Sequence, residues 1–107
     1  MELNGKKVLV LGLARTGTST ARFLAQRGAE VVVTDCRSEA EFHRETQSLA
    51  QFPVRFLLGG ENPQWVEGMD LLIPSPGVPP SNHFVREAQE RKIKILSEVE
   101  LAYRFLH

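Results

Sequence analysis

Three features of this sequence predict an α/β fold: a five-stranded parallel sheet in the order 3-2-1-4-5 with helices on both faces. Five short aliphatic, β-branched runs recur along the chain, and segments with helical spacing separate them. The runs are apolar at consecutive positions, as in strands buried on both sides. Strict alternation of strand and helix makes neighbouring strands parallel, and right-handed crossovers leave few possible orders. The order 3-2-1-4-5 puts the reversal of winding beside the first strand.

The elements follow in sequence. Residues 8–11 (VLVL) form the first strand. Residues 16–27 form a helix with Ala21, Leu24 and Ala25 on one face, and Gly28 stops it. Residues 30–34 (EVVVT) are the second strand. Ser38 and Glu41 read as a capping box opening a helix over 38–50. Residues 54–57 are a weaker third strand, and 63–66 a single turn. Residues 71–73 are the fourth strand. A helix over 81–91 then carries Phe84, Val85 and Ala88 at helical spacing. Residues 93–96 (IKIL) are the fifth strand. Ser97 and Glu100 form a second capping box, opening a last helix with Val99, Ala102, Tyr103 and Leu106 on one stripe.

The first strand leaves through Gly12-Leu13-Ala14-Arg15-Thr16-Gly17. This is the G-x-G-x-x-G fingerprint of Rossmann-like folds with alanine at its middle glycine. Gly12 permits a tight turn and Gly17 permits close packing of helix on strand. Free N–H groups at the helix start, aided by the helix dipole, attract an anion. Asp35 ends the second strand about 20 residues on, where a carboxylate accepts from ribose hydroxyls. Arg37 lies two residues further, placed to stack on a base or meet a phosphate. Residues 12–19 also come within one residue of a P-loop. Thr18 stands where the phosphate-binding lysine would be, so the charge that clamps a triphosphate is missing.

The fourth strand runs into Pro74-Ser75-Pro76-Gly77-Val78-Pro79-Pro80. Proline excludes helix from the residue before it, and Gly77 allows a positive φ. The loop should face the glycine turn across the crevice beyond the carboxyl ends of the strands.

Composition narrows the function classes. The chain has 107 residues, the size of one domain, with 42 % hydrophobic and 24 % charged residues. Lys+Arg and Asp+Glu both total 13. That balance indicates neither a nucleic-acid nor a membrane partner. One cysteine, Cys36, makes neither an internal disulfide nor a metal cluster. The amino terminus lacks a signal-peptide pattern, and no apolar run approaches a membrane span, so a soluble cytoplasmic protein is expected. His43, His83 and His107 read as scattered surface residues, and Cys36 as a small filler at a strand end. Trp65 and the phenylalanines read as core. Glu98 and Glu100 fall on different sides of one helix, which argues against an acid–base pair.

GLARTG, VTDCR, DLLIPSPGVPP and ILSEVEL, taken together with their spacing, resemble the N-terminal domain of the Mur ligases, in particular the D-glutamate-adding members. The likeness runs over essentially the whole chain. It implies that residues 1–107 are a single UDP-binding domain, with the central ATPase domain and the C-terminal domain of the ligase lying outside them. It implies UDP-MurNAc-L-Ala as the partner, no cofactor in this portion, and ATP with Mg2+ for the complete peptidoglycan-synthesising enzyme. By position, Gly12, Ala14, Arg15, Thr16 and Gly17 would hold the diphosphate. Asp35, Cys36 and Arg37 would flank the uracil, with Arg37 stacked on it. Ser75, Pro76 and Gly77 would form the opposite wall. Two other classes stay open on the residues alone: an NAD-binding module of an oxidoreductase or regulatory domain, and a plain interaction domain with an empty crevice.

Overall fold

The structure, a computed structural model, describes residues 2–13 and 15–105, without the side chains of Arg15 and Thr16. Its strands are β1 (Lys7–Leu11), β2 (Glu30–Asp35), β3 (Val54–Leu58), β4 (Leu71–Pro74) and β5 (Lys94–Ile95). They form one sheet in the order β3-β2-β1-β4-β5, and every pairing is parallel. The helices are α1 (Arg15–Gln26), α2 (His43–Ser48), α3 (His83–Glu90) and α4 (Glu98–Arg104), with 3-10 turns at Glu39–Phe42 and Pro63–Val66.

The strand period of two divides the core into two layers. Val8 and Val10 of β1 face the layer under α1, joined by Val31, Val33, Leu71 and Ile73. Leu9 and Leu11 face the other way, with Leu72, toward Val66 and the Phe84, Val85 and Ala88 face of α3. Ala21, Leu24 and Ala25 of α1 are buried, as their spacing predicts. At about 1.5–3 kcal/mol for each large aliphatic side chain removed from water, these two layers hold the sheet to its helices. β1 is buried on both faces because it lies at the centre, whereas β3, at the edge, is only half-buried.

α1 stops at Gly28: Ala29 N–H donates to Leu24 O and Gly28 N–H to Ala25 O, both at 3.1 Å, a Schellman closure. α3 ends the same way, with Ile93 N–H on Ala88 O at 2.9 Å, but there the left-handed residue is Lys92, at φ 58°.

Three expectations need correction. The helix expected over 38–50 is instead a 3-10 turn followed by the short α2. Phe42, between them, is pulled into the core at 3 % exposure with φ −120° and ψ 24°, which interrupts the helical path. α3 starts later than expected, because Asn82 rather than Ser81 caps it, accepting from Phe84 N–H and Val85 N–H at 2.8 and 3.3 Å. The apolar stripe proposed for the last helix faces outward. Val99 is 75 % and Tyr103 68 % exposed, and Leu106 lies outside the described residues. The Ser97–Glu100 cap forms as expected, but Leu101 and Phe105, one helical turn apart, are the residues that turn inward. Phe105 meets Phe23 of α1 edge to face at 5.4 Å, which fixes the rotation of α4.

Candidate functional site

The site is built where β1, β2 and β4 end together. Gly12 continues the ladder on the β2 side, donating its N–H to Thr34 O at 2.8 Å. Ser75 continues it on the β4 side, donating to Leu11 O at 3.0 Å. Beyond these bonds the chains diverge and leave a cleft.

The glycines of the first turn have two distinct reasons to be glycine. Gly12 has φ +98°, and a Cβ there would lie 2.6 Å from Ser75 Oγ, so the two turns can touch only without one. A Cβ on Gly17 would overlap the Gly12 carbonyl oxygen. Gly17 is buried, and its role is to bring the first turn of α1 onto the strand end. Ala14 and the side chains of Arg15 and Thr16 lie outside the described residues; the backbone of Arg15 and Thr16 opens α1.

Asp35 is the junction of the site. Its Oδ2 accepts from Leu13 N–H at 3.0 Å and from Arg37 Nη2 at 2.9 Å. Its Oδ1 accepts from Arg37 N–H at 3.0 Å and Arg37 Nε at 3.1 Å. A carboxylate has about four acceptor positions, so these donors saturate it. Burial pushes the Asp35 carboxyl up. The Arg37 guanidinium and the Arg37 and Leu13 N–H groups outweigh that push and hold it below its ordinary value. Asp35 in turn raises the Arg37 pKa, chiefly by hydrogen bonding. Its carboxylate joins the glycine turn to Arg37.

Arg37 is thereby held with its guanidinium over the Phe42 ring at 4.6 Å, while half of its side chain stays exposed. The pull on Phe42 that breaks the expected helix thus also gives Arg37 a floor. Gly59 N–H closes the arrangement from β3, donating to Asp35 O at 3.0 Å and Arg37 O at 2.9 Å.

The cleft has a volume of about 290 Å³ and brings together Gly12, Asp35, Cys36, Arg37, Ser75 and Gly77. Pro76 is exposed and is not on its wall. Cys36 is exposed and faces the cleft, so it is no filler. Ser75 O accepts from Val78 N–H at 3.0 Å, closing a turn with Pro76 and Gly77 at its centre. Gly77 does not use the positive φ open to it, and a Cβ there would meet nothing within 4 Å. Sequence reasoning missed Thr34, Glu61, Val78, Asn82 and Phe84 on the wall. Asn82 alone left a local sign, as a cap residue just ahead of an apolar helix face. The others arrive through sheet order. His43 and His83 are exposed, and no group of three His, Cys, Asp or Glu among the described residues could hold a metal ion. No helix among them is long and apolar enough to cross a membrane.

Comparison with known proteins agrees with this geometry. Two curated relatives carry the name UDP-N-acetylmuramoylalanine–D-glutamate ligase. The one from Trichlorobacter lovleyi is 43 % identical over 106 residues, and the one from Pelobacter propionicus is 45 % identical over 106. Each match takes in 99 % of this chain and 24 % of the relative, so the chain spans about a quarter of their length. Among solved structures, the A chain of dipicolinate synthase from Bacillus subtilis matches with a TM-score of 0.65 at 25 % identity, over 91 % of this chain and 38 % of that one. A pseudomurein peptide ligase type C from Methanothermus fervidus matches with a TM-score of 0.69 at 21 % identity, over 92 % and 20 %, which speaks to the fold alone. A family model described as Mur ligase MurD-like, N-terminal domain, matches residues 6–97. With both turns, the strand order and the cleft inside that match, the chain belongs to the MurD-like N-terminal domain family of the Mur ligases.

Proposed function

We propose that this chain is the UDP-binding domain of a cytoplasmic UDP-N-acetylmuramoylalanine–D-glutamate ligase, and that its cleft takes the UDP end of UDP-MurNAc-L-Ala. The observation that carries the reading is the contact between Gly12 and Ser75, which makes both signature turns walls of one cleft. The start of α1 turns backbone N–H groups and the positive end of the helix dipole toward the diphosphate. Arg37, braced by Asp35 and Phe42, stacks on the uracil. Gly77, a glycine with no conformational need and open space at its Cβ position, allows the ligand close to the opposite wall.

Within the proposal, the chain's own work is binding and orientation. Arg15, Thr16 and Gly17 fix the diphosphate, so the muramoyl-alanine end projects toward the rest of the ligase. ATP and Mg2+, bound by that rest, would supply the chemistry that activates the alanyl carboxyl for attack by the D-glutamate amine, with ADP and phosphate leaving. These residues alone would bind and not catalyse. The saturated Asp35 carboxylate removes the acceptor that an NAD ribose would use.

Calorimetric titration with UDP, UDP-MurNAc-L-Ala and NADH tests the reading. The two uridine ligands should bind, weakly for a single domain, and NADH should not. NADH binding without UDP binding overturns it. Arg37→Ala should weaken UDP; unchanged affinity removes the stacking role.

A further inference from the structure

Four polar side chains on the cleft wall are committed to the protein itself. Asp35 and Arg37 are bound to each other and to the glycine turn. Thr34 Oγ1 donates to Leu57 O at 2.8 Å, and Asn82 Oδ1 caps α3. Glu61 is the other carboxylate on that wall. It is exposed and has no hydrogen-bond or ion-pair partner among the described residues.

Its place is set by the backbone. Gly59, two residues earlier, is clipped by its N–H to the carbonyls of Asp35 and Arg37. Asn62, the next residue, caps the following 3-10 turn, accepting from Gln64 N–H at 3.0 Å. Glu61 is therefore held between two anchored neighbours, on the β3 side of the cleft beside the β2 end. In sheets of this winding, the end of the second strand is where a carboxylate meets a ribose. Asp35 stands at that position with no acceptor left over. Glu61 reaches the same region from the next strand.

We infer that Glu61 is the ribose-reading residue of this cleft: its carboxylate accepts from the 2′- and 3′-hydroxyls of the bound uridine. Charge and donor chemistry agree. A carboxylate repels a diphosphate and places its two oxygens well for two adjacent hydroxyl donors. The Arg37 charge on the same cleft wall is already matched by Asp35. Glu61 therefore selects the neutral, donor-bearing part of the nucleotide and favours the opposite polarity from the α1 terminus, which orients the ligand along the cleft. The inference rests on the UDP reading above.

The test compares UDP with 2′-deoxy-UDP on the 107-residue chain and on Glu61→Ala, by calorimetry. The unsubstituted chain should prefer UDP about tenfold, the range of one charge-assisted hydrogen bond. Glu61→Ala should bind both equally, and less tightly than the unsubstituted chain binds 2′-deoxy-UDP, because the 3′-hydroxyl contact is lost as well. Because Glu61 is exposed, the variant should melt with the unsubstituted chain, which separates lost recognition from lost folding. A preference for UDP that persists undiminished in Glu61→Ala overturns the inference and leaves the UDP reading standing. Equal binding of both nucleotides by the unsubstituted chain also overturns the inference alone. Absence of UDP binding to either chain overturns both.

Discussion

Asp35 Oδ2 accepts the backbone N–H of Leu13 at 3.0 Å, a buried contact tying the end of β2 to the turn after β1. Leu13 is fully buried, so without Asp35 its N–H has no water to turn to. Asp35→Ala should destabilise the chain by about 2 kcal/mol, the cost of orphaning a buried donor. Urea denaturation measures it. A loss below about 0.5 kcal/mol would show that the turn holds without this contact.

The same carboxylate makes stability depend on pH. Its pKa is lower folded than unfolded, so the unfolded chain binds the proton first. The stabilisation is complete above the ordinary carboxyl pKa of 3.8 and is lost as pH falls through the lower folded value. Between pH 7 and 5 this group should contribute no slope. Asp35→Asn should lose stability at neutral pH and show a shallower acid decline than the unsubstituted chain in melts at pH 2–5.

The glycines separate folding from binding. Gly17→Ala forces a Cβ onto the Gly12 carbonyl and should cost about 1–3 kcal/mol, read by thermal melting. Gly77→Ala meets only open space and should leave stability within about 0.5 kcal/mol. UDP affinity should fall in Gly77→Ala all the same, because the added methyl enters the cleft wall. Full affinity in that variant would move the ligand away from the Ser75 turn.

Lys92 occupies a left-handed position at the end of α3. An L-residue there costs about 1–2 kcal/mol relative to right-handed backbone, and glycine escapes most of it. Lys92→Gly should therefore raise the denaturation midpoint, with a gain of about 1 kcal/mol. No gain would mean that the lysine side chain compensates for its backbone.

The outward face of α4 gives a paired comparison. Leu101→Ala removes a side chain exposed by only 3 % and should cost about 2–4 kcal/mol. Val99→Ser, at 75 % exposure, should change stability of the isolated chain by less than about 0.5 kcal/mol. The opposite ranking would mean that the apolar stripe, rather than Leu101 and Phe105, faces the core.

Local chemistry was enough for much of this protein. Runs such as VLVL and EVVVT declare buried parallel strands, and right-handed crossovers then leave little choice of order, so β3-β2-β1-β4-β5 was legible in the sequence. The turn glycines and the Ser97–Glu100 cap were legible too, because each acts within a few residues. What only the tertiary structure decided depends on partners distant in sequence. Val99, Ala102 and Tyr103 form a sound helical stripe, yet contact with Phe23 turned another face inward. Phe42 interrupts the helix expected from Ser38 because its ring is buried in the core beneath Arg37. The bonds from Asp35 to Leu13 and Arg37 were not legible from its position. Spacing locates a carboxylate along the chain, but which donors surround it is settled only when β1, β2 and β3 come together.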